Sequence, residues 1–230
     1  PAPADAARGS RAAPANCAPP GYFVPALDDP APKSAPRWPA RTAAMHGAYL
    51  KGSPPPMVGP GDVQMGPIMA WIEENTPEDT IFSNGAGNYA TWVHRFHRFR
   101  RFATQAAPTS GSMGYGLPAA VAAKQLFPER EVVCFAGDGC FMMHGQEFAT
   151  AVRYGLPIIT VVVNNGIYGT IRMHQEREYP GRVSATDLVN PDFAALARAY
   201  GGHGETVETT AEFVPAFERA RASRKPAIIE

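Results

Sequence analysis

Two short polar clusters in this chain have the residue types to hold a hard cation against an anion. The first, Gly137-Asp138-Gly139, ends an apolar run from Val132 to Ala136; the second, Asn164-Asn165-Gly166, ends a β-branched run from Ile158 to Val163. A carboxylate and a side-chain amide offer hard oxygens, which suit Mg2+ or Ca2+ better than zinc or copper. Mg2+ fits best, because it shares its shell with water and substrate phosphates and needs few protein oxygens. Gly137 and Gly139 lack side chains, so backbone N–H groups there can approach an anion, and a helix starting just beyond adds its positive end. Either cluster alone reads better as a plain turn. Together they describe a metal-diphosphate site.

The elements around them must bring Asp138 and Asn165 to one place. Val132 to Ala136 reads as a buried strand, and a helix is predicted from His144 to Tyr154, with Phe148, Ala151 and Val152 at helical spacing and Gly155 and Pro157 as its stop. Ile158 to Val163 reads as the next strand. Strand, helix and strand in that order predict a right-handed crossover and parallel strands, with both clusters at the carboxyl edge, where open α/β sheets bind ligands.

Elsewhere the chain is taken in order. Residues 1–45 are rich in Pro, Ala, Arg and Ser without helical or strand period, which predicts a linker or the remnant of a preceding domain. Gly52 to Gly61, with Pro54, Pro55 and Pro56, reads as a stiff extended linker. From Asp62 the pattern is ordered: a helix through Val63, Ile68, Met69 and Ile72 ending before Pro77, a strand from Thr80 to Ser83, and a loop, Asn84 to Asn88, leading into a helix near Tyr89 to Phe96. Leu117 to Leu126 predicts a helix, Tyr168 to Met173 starts another, and Asn190, Pro191 and Asp192 open one carrying Phe193, Leu196, Ala197 and Tyr200 on one face. Gly204 to Val207 and Ala227 to Ile229 read as strands around a helix from Ala211 to Ala222. The fold class is α/β: a doubly wound, mostly parallel sheet with helices on both faces. Residues 46–230 form its domain, and the abrupt end after Ala227 to Ile229 reads as truncation.

The composition narrows the function. The chain has 230 residues, 45% hydrophobic and 18% charged, with formal net charge zero, which gives no general attraction to nucleic acid or membranes. No apolar run has membrane-spanning length. Three cysteines, Cys17, Cys134 and Cys140, include no CxxC pair and predict a reducing, cytoplasmic setting. The basic, aromatic run from His94 to Phe102 reads as a helix end with core anchors rather than a nucleic-acid platform; a subunit contact is also open.

The GDG triplet followed downstream by the NN pair resembles the signature of thiamin-diphosphate-dependent enzymes. HRFRRFATQ, GSMGYGLPAAVAA, GDGCFMMHGQE and NNGIYGTIRMHQ together are similar to the cofactor-diphosphate domain of the acetolactate synthase-like branch, over roughly Val63 to Glu230. The resemblance implies that Asp138 and Asn165 bind Mg2+ through side chains and Ile167 through its carbonyl. It implies that Gly85, Ala86, Gly87 and Asn88 lie against the diphosphate, as do Gly137, Gly139 and Cys140. Gly111, Ser112 and Met113 would meet the organic part of the cofactor, Met113 as a wedge between its rings and Gly111 through its carbonyl. Tyr168, Gly169 and Thr170 would complete the cofactor side, Thr170 standing where relatives place a bulkier apolar residue near the substrate.

The activity so implied is decarboxylation or carboligation of a 2-oxo acid such as pyruvate, with thiamin diphosphate as electron sink. The family also uses a glutamate from a pyrimidine-binding domain of a neighbouring subunit. Glu73, Glu74, Glu78, Glu129, Glu131 and Glu147 all lie in the diphosphate portion and are assigned no such role, so this chain by itself is expected to be inactive and its parent a homodimer or homotetramer. FAD is undecided. A benzoylformate decarboxylase-like activity and a non-catalytic scaffold of the same fold remain open. Cys140 and His144, four apart, are too few for a zinc site, and Arg172, His174, Glu176 and Arg177 read as a solvated helix face or a lid.

Overall fold

The computed structural model describes residues 38–59 and 61–230. Cys17 and most of the 1–45 linker therefore lie outside the described residues. The chain divides between Tyr49 and Leu50 into two units.

A helix that the sequence pattern did not predict, α1 (Pro39–Gly52), runs through the proposed 45/46 boundary. Its residues are good helix formers behind an N-terminal proline, and none is buried. Without an apolar stripe there is no period to read, so propensity alone was the available signal.

The second unit is built as expected. Helix α2 (Met65–Asn75) precedes β1 (Ile81–Asn84), α3 (Ala90–Phe96) and a two-residue β2 (Gln105–Ala106). There follow α4 (Gly116–Leu126), β3 (Val132–Gly137), α5 (Asp138–His144), α6 (Glu147–Arg153) and β4 (Ile159–Val163). The chain ends with α7 (Gly169–Glu178), α8 (Phe193–Ala199), β5 (His203–Glu205), α9 (Thr210–Ser223) and β6 (Ala227–Ile229). All strand pairs are parallel, in the order β2-β1-β3-β4-β6-β5. The chain winds outward to β2 and then returns to the other side of β1, so the switch point lies between β1 and β3.

Alternation along the strands feeds two cores. Phe82, Val133, Phe135, Ile159 and Val161 face α2, α3 and α9, where Ile72, Val93 and Phe217 are fully buried. Val132, Cys134, Ala136 and Val162 face the other way, against Leu117 of α4, Phe148 of α6 and Phe193 of α8. Burial of each large side chain contributes about 1.5–3 kcal/mol. Burial pushes the Cys134 thiol up to about 12, so it is a small apolar filler rather than a nucleophile.

Two local expectations are corrected, and one short strand was not foreseen. The single helix from His144 to Tyr154 is two helices: α5 begins at Asp138 itself and stops at His144, and α6 begins at Glu147. Gly145 lies between them, and a Cβ there would come within 2.7 Å of the Phe141 ring. The proline-rich segment is no free spacer, since the Pro56 carbonyl abuts Gly66 of α2, where a Cβ would sit 1.8 Å away, and Ser53 is buried. The strand β2 is too short to show a period.

The close packing of α8 on β5 supplies a test. A Cβ on Gly204 would lie 2.1 Å from the Ala194 carbonyl oxygen, and backbone on both sides cannot yield cheaply. Gly204→Ala is expected to cost about 1–3 kcal/mol, read as a lowered midpoint in urea; an unchanged midpoint refutes the packing.

Candidate functional site

Gly137 and Val163 are register partners at the ends of adjacent parallel strands. Asp138 and Asn165, one and two residues beyond, therefore leave the same edge of the sheet, beside the β1/β3 switch point. Asp138 is 3% exposed and takes three donors: Oδ1 accepts from Gly139 N at 2.8 Å, and Oδ2 accepts from Gly166 N at 2.8 Å and Asn190 Nδ2 at 2.7 Å.

The NN segment is shaped by its own side chains. Asn164 Oδ1 accepts from Gly166 N at 3.1 Å, and Asn165 Oδ1 accepts from Ile167 N at 3.2 Å. Gly166 has φ +68°, which glycine adopts without strain. Ile167 forms an antiparallel bridge with Asp187 whose hydrogen bonds are made by the neighbours, Tyr168 N to Thr186 O and Leu188 N to Gly166 O. Ile167 thus occupies a non-hydrogen-bonded position, and its carbonyl points away from the Asp187 segment.

A cradle of small residues surrounds these oxygens. A Cβ on Gly139 would meet the Tyr168 ring at 2.5 Å, and one on Gly137 or Gly87 would meet the Tyr89 ring at 2.8 Å. Tyr89 locks three loops together. Its hydroxyl accepts from Gly85 N at 3.0 Å and donates to Cys140 Sγ at 3.2 Å, while Gly114 N donates to the same sulfur at 3.1 Å. Burial and the neighbouring Cys140 push the Tyr89 pKa far above the phenol range, so it stays neutral.

The result is a cavity of about 400 Å3 at the carboxyl edge. Asp138, Asn165 and Ile167 line it, with Gly137, Gly139 and Cys140 on one side. The first loop contributes Ala86, Gly87 and Asn88, and the third contributes Gly111 and Met113. Tyr168, Gly169 and Thr170 close the remaining wall, with Thr170 Oγ1 donating to Asn88 Oδ1 at 2.9 Å across the rim. Two expected residues do not line it. Gly85 is buried behind the first loop against Cys140, and Ser112 is exposed and bonded to Ser110 at 2.9 Å.

Four wall residues were not foreseen: Tyr89, Trp92, Val163 and Ile171. Trp92 follows Asn88 at helical i+4 spacing, a signal that could have found it. Asn190, expected only to open a helix, instead bonds Asp138, while Asp192 caps α8 by accepting from Ala195 N at 2.7 Å. No local pattern marks Asn190, since its partner lies far back in the chain.

The cavity has the donor set and space for a diphosphate with a hard cation. Carboxylate, amide and carbonyl oxygens meet the requirements of Mg2+, and the glycines leave room that any Cβ would fill. Cys140, by contrast, is occupied by Tyr89 and Gly114, and among the described residues no His, Cys, Asp or Glu cluster could hold a metal.

The basic segment is organised by one carboxylate. Glu73 accepts from Arg98 N at 3.0 Å and Arg100 Nη2 at 2.7 Å, and its Oε2 lies 2.8 Å from His97 Nδ1. That last contact is close but misaligned, as Nδ1 makes no hydrogen bond. The His97 ring packs tilted against Phe82 at 4.2 Å and edge-on against Phe99 at 4.7 Å, centroid to centroid. On α7, Arg172 pairs with Glu176 and Asp187 and no residue is buried, a solvated face.

Burial lowers the His97 pKa, and nearby Arg100 lowers it further, against the opposing pull of Glu73. The unfolded state therefore takes up the proton more readily, so this contribution is full above the ordinary histidine pKa of about 6.5 and declines as pH falls below it. Urea midpoints should drop between pH 7.5 and 5, and drop less in His97→Phe; an equal drop in both refutes the assignment.

Three comparisons bear on the site. Residues 85–230 match the model of the thiamine pyrophosphate enzyme C-terminal TPP-binding domain. Acetolactate synthase large subunits from Parasynechococcus marenigrum and Corynebacterium glutamicum are 41% and 34% identical, over 55% and 79% of this chain but 21% and 31% of their own lengths. The chain thus spans less than a third of these relatives. The thiamine diphosphate-dependent 4-hydroxybenzoylformate decarboxylase of Rhodococcus jostii RHA1 superposes with a TM-score of 0.70 at 30% identity, over 76% of this chain and 33% of that one. No described helix is long and apolar enough to cross a membrane.

Proposed function

The chain belongs to the thiamine pyrophosphate enzyme family through its C-terminal cofactor-binding domain, and from that premise we propose that it supplies the diphosphate and Mg2+ half of a site acting on 2-oxo acids. The observation that carries this reading is that Asp138, Asn165 and Ile167 line one glycine-rich cavity at the switch point. Asp138 and the two NN-segment oxygens would hold Mg2+. Gly87, Gly137 and Gly139 would admit the diphosphate oxygens to backbone donors.

Bound thiamin diphosphate supplies an electron sink for loss of carbon dioxide from a 2-oxo acid. The protein's part is positioning. Met113, half-buried against the core and lining the cavity, is placed to brace the cofactor's organic portion. The Tyr89–Cys140 lock keeps the three loops at fixed separation. Trp92, Val163 and Ile171 add apolar side chains to the wall.

The substrate we favour is a small 2-oxo acid such as pyruvate, with an acetolactate synthase-like carboligation, in keeping with the large-subunit relatives. A benzoylformate decarboxylase-like activity is the second reading, favoured by the Rhodococcus likeness and the aromatic wall that Trp92 provides. The activating glutamate would come from a pyrimidine-binding domain of a neighbouring subunit in a homodimer or homotetramer. Calorimetric titration with thiamin diphosphate, with and without Mg2+, tests the proposal. Metal-dependent binding supports it; failure to bind with the metal present overturns it.

A further inference from the structure

We propose that Asn190 is a positioning residue that fixes which oxygen of Asp138 is left open towards the cavity; the inference rests on the cofactor reading above. Asn190 Nδ2 donates to Asp138 Oδ2 at 2.7 Å and to Asn164 Oδ1 at 2.8 Å. Gly166 N donates to the same two oxygens, at 2.8 and 3.1 Å. Two donors thus share two acceptors in a closed ring between the tips of β3 and β4. Each carboxylate oxygen has two lone-pair directions. On Oδ2 both are taken, by Gly166 and Asn190. On Oδ1 Gly139 N takes one, and the other is free to meet a cation.

The orientation of Asn190 is determined by chemistry rather than by shape. Turned over, its amide oxygen would face two acceptors and lose both bonds, so only one orientation fits. The ring is anchored from outside. Asn164 Nδ2 donates to Glu230 Oε1 at 2.7 Å, and Glu230 Oε2 accepts from Phe193 N at 3.1 Å at the start of α8. Asn190 precedes Pro191 and the cap Asp192, so the beginning of α8 holds both ends of this chain of contacts. Without the Asn190 amide, the Asp138 carboxylate keeps its two backbone donors and can rotate about its side-chain bonds. Oδ1 then loses its fixed aim, and the cation loses a preorganised ligand.

A partner of this kind, behind a ligand, typically governs metal affinity by 10–100-fold. The test titrates Mg2+ into the purified protein at saturating thiamin diphosphate, following fluorescence from Trp92 on the cavity wall. Asn190→Ala is expected to raise the Mg2+ needed for half-saturation by ~10-fold or more, with the melting temperature in EDTA nearly unchanged. Asn164→Ala should give a smaller rise, and the double variant no more than Asn190→Ala, since both act through one ring. An Mg2+ requirement equal to wild type overturns the inference, as does a loss matched by lower stability in EDTA. If Asn190→Ala does not fold, Asn190→Ser carries the same comparison with the same outcomes. Wild-type protein that ignores Mg2+ overturns the cofactor reading and this inference together; a metal-responsive wild type with an indifferent variant overturns this inference alone.

Discussion

Asp138→Ala should abolish Mg2+-dependent binding of thiamin diphosphate, lowering affinity by ~100-fold or more, beyond what loss of a residue behind a ligand would do. Among the described residues the side chain is the only carboxylate lining the cavity, and it is 3% exposed. Its removal also leaves Gly139 N without its acceptor, while Gly166 N and Asn190 Nδ2 each lose one of their two acceptors and keep Asn164 Oδ1. Each buried donor left unpaired costs about 1–3 kcal/mol, so the variant should melt lower as well. Asp138→Asn separates the two effects. It keeps the shape and one acceptor oxygen but not the charge, and should retain most of the stability while losing most of the metal response. Calorimetry with Mg2+ and thiamin diphosphate decides: wild-type affinity in Asp138→Asn would remove Asp138 from the metal site.

A second large effect is expected at a residue that does not touch the cavity. Gly85 lies where the three site loops meet, and a Cβ there would fall 2.3 Å from Cys140 Sγ, 3.1 Å from Tyr89 Oη and 3.4 Å from Gly114 N. Gly85→Ala must push the loop after β1 away from α5 and break the lock formed by Tyr89, Cys140 and Gly114. Overpacking of this kind costs about 1–3 kcal/mol, and cofactor affinity should fall with it because Ala86, Gly87 and Asn88 move. Cys140→Ala removes the closest atom, so the double variant Gly85→Ala/Cys140→Ala should recover much of the stability lost in Gly85→Ala. A double variant as weak as the sum of the two singles would show that the clash is elsewhere.

The fold was legible where burial imposes a period. Val132 to Ala136 and Ile158 to Val163 are apolar on both faces because helices cover both, and such strands stand out in any sequence. Helix α1 was not legible, because none of its residues is buried and no stripe distinguishes it from linker. The break between α5 and α6 escaped for another reason. The apolar spacing from Phe148 onward belongs to α6 alone, while α5 begins on Asp138 at the strand end, so no spacing marks the join at Gly145 and Gln146.

Residue type and place were readable in the chain alone: Asp138, Asn165 and the glycines beside them are suited to a hard cation and a diphosphate, and their position after two buried strands puts them at one edge of a parallel sheet. How those groups are aimed came from the folded chain. Asn190 reaches Asp138, Cys140 takes hydrogen bonds from Tyr89 and Gly114, and Trp92 joins the wall, all through contacts between loops far apart in the chain. Residue type and local period are written along one strand of sequence, whereas the direction of a lone pair depends on donors that arrive from elsewhere when the sheet is assembled.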